Sequence, residues 1–171
     1  MWVFPGGHSD YVNNKFEGLR NTAGREFREE IGGDTVIDDE PLCVYQASLF
    51  SRGLTYLITF YTSTIPKIYH TFSPSEITRI AWVPKSFILQ GGLRPHIYTG
   101  MSLRDELELA EGVGVVEGSE YVGGECRRCE VDLREIVGGG GEGEGGGGIG
   151  MAHRFALECW AKRVEEEEKI K

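Results

Sequence analysis

The sequence predicts a mixed domain of helices and strands, of the α/β or α+β class. Apolar residues recur at every fourth position over 19–31, which is typical of a helix with one buried stripe. Two runs rich in β-branched and aromatic residues, 42–50 and 54–63, flank the polar segment 51–53 and therefore predict a β-hairpin. A chain of 171 residues is long enough to bury a core between such elements.

The residues before the helix predict a strand end, a turn and a loop. Residues 2–4 are apolar and stop at Pro-Gly-Gly, so they predict the last part of a strand running into a turn. Residues 8–18 are mostly polar and predict a loop. The helix over 19–31 is predicted to end at the glycine pair 32–33, because glycine favours the backbone conformation that closes a helix.

The second half of the chain is predicted to be less regular. A third strand is predicted at 78–84, with short helices near 85–90 and 102–111. From residue 112 glycine and glutamate dominate, and this composition predicts a flexible segment. Apolar residues at helical spacing within 151–171 predict a last helix. The predicted organisation is a domain over 1–111, a flexible segment over 112–150 and a C-terminal helix over 151–171.

The composition excludes several classes of protein. A net charge of −9 argues against non-specific nucleic-acid binding through a basic surface. The longest apolar runs are too short to cross a bilayer, so no membrane partner is expected. Four cysteines without a secretion signal predict reduced thiols and an intracellular location, in cytoplasm or nucleus. Cys126 and Cys129 form a lone pair without nearby zinc partners and are interpreted as structural.

Three acids are crowded onto one side of the predicted helix. Glu26, Glu29 and Glu30 project to the same side at helical spacing, beside Arg25 and Arg28. Like charges this close repel one another, and a divalent cation would remove that repulsion, since Mg²⁺ and Mn²⁺ prefer hard oxygen ligands. An ordinary solvated helix face with glutamate-arginine pairs is the alternative interpretation.

The acids belong to a longer motif. Glu17 is followed after seven residues by REFREEIG, which gives E-x7-R-E-U-x-E-E-x-G with FPGG before it. This pattern resembles the Nudix box, the signature of the Nudix hydrolase superfamily. Gly33 stands where the family usually has an apolar residue, and nine residues rather than five separate Gly7 from Glu17. The longer loop resembles a subgroup that decaps small nucleolar RNA and hydrolyses inosine diphosphate.

The resemblance implies a fold and a metal site. The fold would be an αβα sandwich with a mixed β-sheet, apparently lacking its N-terminal strands, because the motif's lead-in starts at residue 2. Glu26, Glu29 and Glu30 would be the catalytic ligands of Mg²⁺ or Mn²⁺, and the main-chain carbonyl of Gly7 would complete the shell.

The resemblance also implies supporting roles for other residues. Glu17 and Arg25 would pair and hold the loop against the helix. Glu76 would supply a further carboxylate as a general base, although an ordinary loop acid is an equally good interpretation. His8, directly after the glycine turn, is a candidate contact to substrate.

The activity implied by the resemblance is metal-dependent hydrolysis. The enzyme would cleave the pyrophosphate bond of a nucleoside diphosphate linked to another moiety and release a nucleoside monophosphate. Its partners would be a nucleotide, a nucleotide-derived small molecule or a capped RNA. The alternative is a catalytically inactive, truncated Nudix-like binding module, because strands that normally contribute to substrate binding would be missing.

Overall fold

The computed structural model describes residues 2–12, 14–49, 53–67, 70, 72–75, 77–138 and 148–170, apart from the side chains of Val12 and Leu49. Helices and small antiparallel sheets are both present, which confirms the predicted mixed class. The chain divides into two compact units. The first unit comprises Phe4–Ile80 and Ser119–Arg128, and the second comprises Met1–Val3, Ala81–Gly118 and Cys129–Lys171.

The first unit is built from a helix and short antiparallel strand pairs. Its elements in chain order are β1 (Tyr11–Val12), β2 (Lys15–Phe16), α1 (Leu19–Ile31), β3 (Val36–Ile37), β4 (Cys43–Leu49), β5 (Leu54–Phe60) and β6 (Ser63–Thr64). Strand β1 pairs with β2, β3 with β6, and β4 with β5. The predicted hairpin is confirmed, with a register that runs from Cys43 opposite Phe60 to Leu49 opposite Leu54.

Helix α1 begins and ends where the sequence predicts. Gly32 closes it with φ of 73°, and its N–H donates to the carbonyl of Arg28 at 2.9 Å. The predicted apolar stripe is only partly buried, because Leu19 is exposed while Ile31 is buried. Thr22 and Gly24 are buried as well. A Cβ at Gly24 would lie 3.6 Å from the Ile37 side chain, an ordinary van der Waals distance, so α1 and β3 pack closely at this position.

Two predictions about the N-terminal residues are corrected. Residues 2–4 do not form a strand; Trp2 makes an isolated bridge with Ile149. The predicted loop over 8–18 contains the hairpin β1–β2, whose aromatic residues Tyr11 and Phe16 pair across the strands. Cross-strand aromatic contact stabilises such short pairs, and Asn14 accepts the left-handed turn conformation with φ of 61°.

The second unit is mainly helical. It contains α2 (Lys85–Leu89), α3 (His96–Thr99), α4 (Leu103–Val113), α5 (Leu133–Gly138) and α6 (Met151–Lys169). Helices α2, α4 and α6 confirm the predictions near 85–90, 102–111 and 151–171, whereas α3 was not predicted. Ser102 and Asp105 form a capping box at the start of α4. No described helix is long and apolar enough to cross a membrane.

The boundaries between the units fall inside three strands. These are β7 (Arg79–Ala81), β8 (Val115–Val122) and β9 (Glu125–Asp132), which hydrogen-bond in that order. Strand β7 confirms the prediction over 78–84. Strands β8 and β9 correct the prediction of a flexible segment over 112–150, because Gly123 and Gly124 adopt positive φ and form a tight hairpin turn. Residues 139–147 lie outside the described part of the chain.

Buried charged side chains hold α6 within the second unit. Glu106 of α4 is fully buried and accepts from Arg154 of α6 at 2.9 Å. Glu158 of α6 is buried and accepts from Nε of Arg94 at 2.6 Å. Lys162 lies one turn further along α6, with its Nζ 3.2 Å from Glu158. Because each buried acid has a cationic partner, these carboxylates are stable inside the fold.

The Glu158 contacts predict an acid-sensitive contribution to stability. Burial raises the pKa of Glu158, but hydrogen bonds from Arg94 and Lys162 outweigh it and leave the pKa below its ordinary value of 4.5. A carboxyl with a depressed folded pKa stabilises above its unfolded pKa and loses that stability as the pH falls toward its folded pKa. Urea unfolding of wild type and Glu158→Gln should therefore differ more at about pH 6 than at about pH 3. Equal differences at both pH values would contradict this assignment.

Candidate functional site

The turn at Gly6 and Gly7 lies directly against two acids of α1. The N–H of Gly6 donates to Oε2 of Glu30 at 3.0 Å. A Cβ placed on Gly7 would lie 2.2 Å from Oε1 of Glu26, so a residue with a side chain would displace that carboxylate. The ring of Phe4 packs edge to face on Phe60 of β5, with 6.3 Å between centroids, and helps to fix the turn. Glycine at position 7 thus lets the backbone and a carboxylate meet.

The guanidinium of Arg25 contacts three acids of the motif. Its Nε lies 3.2 Å from Glu17, its Nη1 2.8 Å from Glu29 and its Nη2 3.0 Å from Glu26. Nη2 also donates to the carbonyl of His8 at 3.1 Å. Burial works against the charged form, but hydrogen bonds to Glu17 and Glu29 and the nearby Glu26 raise the pKa of Arg25 above its ordinary value. Arg25 therefore remains charged and neutralises part of the acidic cluster.

Both arms of the long loop are fastened to α1. The N–H of Glu17 donates to the carbonyl of Asp10 at 2.8 Å, and the Asp10 carboxylate lies 3.4 Å from Nη2 of Arg25. The hydroxyl of Thr22 donates to Glu17 at 3.1 Å and lies 2.8 Å from the hydroxyl of Ser9. These contacts position the loop on the same helix that carries the acids.

Glu26 and Glu30 suit a magnesium site that water and substrate complete better than a site whose ligands all come from the protein. Within the described part of the chain, no three His, Cys, Asp or Glu side chains have the geometry to hold a metal ion. Glu26 and Glu30 nevertheless both adjoin the glycine turn. Mg²⁺ is commonly held by one or two carboxylates, with water and substrate phosphates completing its octahedron. Two carboxylates at an open turn match that requirement.

The structure brings together most of the residues that the sequence predicted for the site. The Glu17–Arg25 contact is confirmed, and Glu26 and Glu30 both adjoin the turn. Glu29 is half exposed and pairs with Arg25 instead of reaching the turn. The contact of His8 with Arg25 uses its carbonyl. Glu76 lies outside the described residues.

Sequence reasoning missed the part that Asp10 takes in this cluster. Two asparagines between Tyr-Val and Lys-Phe are a hairpin signal, and a hairpin places Asp10 opposite Glu17. A hairpin predicted from this signal would also have predicted that Asp10 lies near Arg25.

Comparisons of the chain with protein-family models, with curated proteins and with solved structures found no match. Glu26 and Glu30 lie beside the glycine turn, and carboxylate oxygens are the ligands that hard cations prefer.

The glycine turn predicts unequal effects of two neighbouring substitutions. Gly7→Ala should weaken Mn²⁺ binding by about 10-fold or more, because the new Cβ displaces the Glu26 carboxylate. Gly6→Ala is the matched control, since nothing lies within 4 Å of a Cβ at that position. Isothermal titration of both variants with Mn²⁺ measures the difference. Equal Mn²⁺ affinities would show that the Gly7–Glu26 contact has no part in metal binding.

Proposed function

We propose that this chain is a Nudix-type, metal-dependent hydrolase. It cleaves the pyrophosphate bond of a nucleoside diphosphate linked to another moiety, such as a nucleotide or an RNA cap, and releases a nucleoside monophosphate. The proposed fold is the αβα sandwich with a mixed sheet. One observation carries the proposal: Glu26 and Glu30, acids of the Nudix-like motif, contact the glycine turn that precedes it.

Glu26, Glu30 and the carbonyl of Gly7 would hold Mg²⁺ or Mn²⁺. A bound ion would neutralise phosphate charge and lower the pKa of a water molecule, which is the chemistry that hydrolysis of an anionic substrate requires. Arg25 fixes the acids through its contacts with Glu26 and Glu29, so that they are oriented before substrate arrives. Glu29, which is half exposed, is available to join the shell when its contact with Arg25 rearranges.

The general base is proposed to be Glu76. The N–H of Ser73, three residues earlier, donates to the carbonyl of Glu30 at 2.8 Å. The N–H of Ile77, the next residue after Glu76, donates to the carbonyl of Ser73 at 3.0 Å. The first of these contacts brings Ser73 to the C-terminal end of α1, within the unit that carries the acids. The carboxylate of Glu76 would take a proton from the attacking water.

A binding module without catalysis is the second candidate. It is favoured by the contacts of Arg25, which satisfy Glu26 and Glu29 without any metal ion. Such a protein would bind a nucleotide through the glycine turn and leave its phosphates intact.

Product analysis separates the two candidates. The chain would be incubated with inosine diphosphate, ADP-ribose, a dinucleotide and a capped RNA, each with Mg²⁺, with Mn²⁺ or with a chelator. The hydrolase proposal expects nucleoside monophosphate from at least one substrate with metal and none with chelator. A folded chain that binds nucleotide and Mn²⁺ but releases no product supports the binding module and overturns the hydrolase.

A further inference from the structure

A pocket of about 340 Å³ lies between helix α1 and strand β3, and residues of both elements line it. Its volume is within the range of small-molecule sites. Arg20, Gly24 and Arg28 follow one another at four-residue spacing, so they share the face of α1 that borders the pocket. Glu26 and Glu30 come two residues after Gly24 and Arg28, which places them about 200° further around the helix. The pocket and these two acids are therefore on opposite sides of α1.

Arg28 brings an unpaired guanidinium to this pocket. The positions four residues before and after it are Gly24 and Gly32, so neither offers a carboxylate at the spacing that pairs charges along a helix. Within the part of the chain that the structure describes, the Arg28 side chain makes no hydrogen bond and no ion pair. Its Nη1 lies 3.6 Å from the position that a Cβ would take at Gly24. The guanidinium therefore bends back along α1 over Gly24, which also lines the pocket.

The other charged side chains that line the pocket already have partners of opposite charge. Arg20 pairs with Asp39, with Nη2 and Oδ1 3.0 Å apart. Glu17 accepts from Nε of Arg25 at 3.2 Å. Among the described residues that line the pocket, Arg28 thus carries the charge that is left without a counter-charge. A ligand that enters the pocket meets this positive charge.

We propose that this pocket binds the oxyanion group of a small molecule, a phosphate or a carboxylate, on Arg28. A guanidinium donates two parallel hydrogen bonds to either group, and such charge-assisted bonds are stronger than those between neutral partners. Asn21 lines the same pocket, and its amide can add a hydrogen bond to the ligand. Val36 offers apolar surface to the rest of the molecule. This site needs no metal ion and lies away from Glu26 and Glu30, so the inference goes beyond the proposed function and does not rest on it.

Nuclear magnetic resonance of the isotope-labelled, metal-free chain tests the assignment. Titration with inorganic phosphate and, separately, with succinate at constant ionic strength should give saturable shifts of the Gly24 amide signal and the Arg28 Nε–H signal. The probe with the lower Kd identifies the preferred oxyanion. Arg28→Gln should raise that Kd by about 10-fold or more, because hydrogen bonds to a charged group contribute that order of affinity. Arg28→Lys keeps the charge but loses the planar fork, so its Kd should fall between the two.

Arg128→Gln is the matched control, because Arg128 is an exposed arginine of the same unit that does not line the pocket. It should bind the oxyanion as wild type does. Equal Kd values for wild type and Arg28→Gln, or shifts at Gly24 and Arg28 that do not saturate with either probe, overturn the inference. Saturable binding at Arg28 in a chain that hydrolyses no nucleotide would uphold this pocket and leave the proposed function to fail alone.

Discussion

Replacing Glu30 with glutamine is expected to lower kcat by about 100-fold or more while the chain stays folded. Glutamine keeps an oxygen that can accept from the N–H of Gly6, so the contact with the turn survives. The negative charge that would hold the cation is lost. Changes in the residues around a metal site commonly cost 10- to 100-fold in activity, and the loss of a ligand should cost about as much or more.

Glu40→Gln is the matched control for that variant. It removes the same charge from an exposed position in the first unit, outside helix α1 and the glycine turn. Steady-state hydrolysis of the best substrate, measured at saturating Mg²⁺, should be lost in Glu30→Gln and retained in Glu40→Gln. Equal rates in the two variants would exclude Glu30 from the reaction.

Replacing Glu106 with glutamine is expected to lower the free energy of unfolding by about 3 kcal/mol or more. Glu106 is fully buried and accepts from the N–H of Leu93 at 2.6 Å, from His96 at 2.7 Å and from Arg154 at 2.9 Å. A glutamine amide group would place N–H atoms against these donors. It would also leave the guanidinium of Arg154 buried without its counter-charge, which is the costly way to break a buried ion pair.

Glu108→Gln provides the control on the same helix. Glu108 pairs with Arg104 at the surface of α4, with Nε and Oε1 2.9 Å apart, and such exposed pairs contribute at most about 0.5 kcal/mol. Urea unfolding of the two variants measures the contrast. If Glu106→Gln is no less stable than Glu108→Gln, the buried carboxylate does not hold α4 and α6 together.

Local signals made much of the fold predictable. Both ends of helix α1 were predictable, because its four-residue apolar period and its terminal glycine pair are patterns of neighbouring residues. The hairpin of β4 and β5 was predictable for the same reason. Strands β8 and β9 were missed because glycine and glutamate suggest flexibility. The glycines at 123 and 124 instead form the turn between two strands that pair with each other, and β8 pairs with β7 as well.

Long-range pairing was the part that the sequence did not reveal. Glu106 and Glu158 lie in stretches that resemble solvated helix faces, yet both are buried by partners 48 and 64 positions away. At the candidate site, helical spacing predicted the crowded acids, and the resemblance implied the Glu17–Arg25 contact. It did not predict that Glu29 pairs with Arg25 and leaves Glu26 and Glu30 at the turn, because that choice depends on side-chain geometry.

Titration with Mn²⁺, followed by the electron paramagnetic resonance signal of the free ion, tests the central claim most directly. It asks whether Glu26 and Glu30 at the glycine turn hold a divalent cation, and it needs no knowledge of the substrate. Wild type and Glu40→Gln should bind Mn²⁺ with the same affinity, and Glu30→Gln should bind it about 10-fold more weakly or worse. Equal binding by all three chains, or no binding by wild type, would contradict a metal-dependent hydrolase centred on these acids.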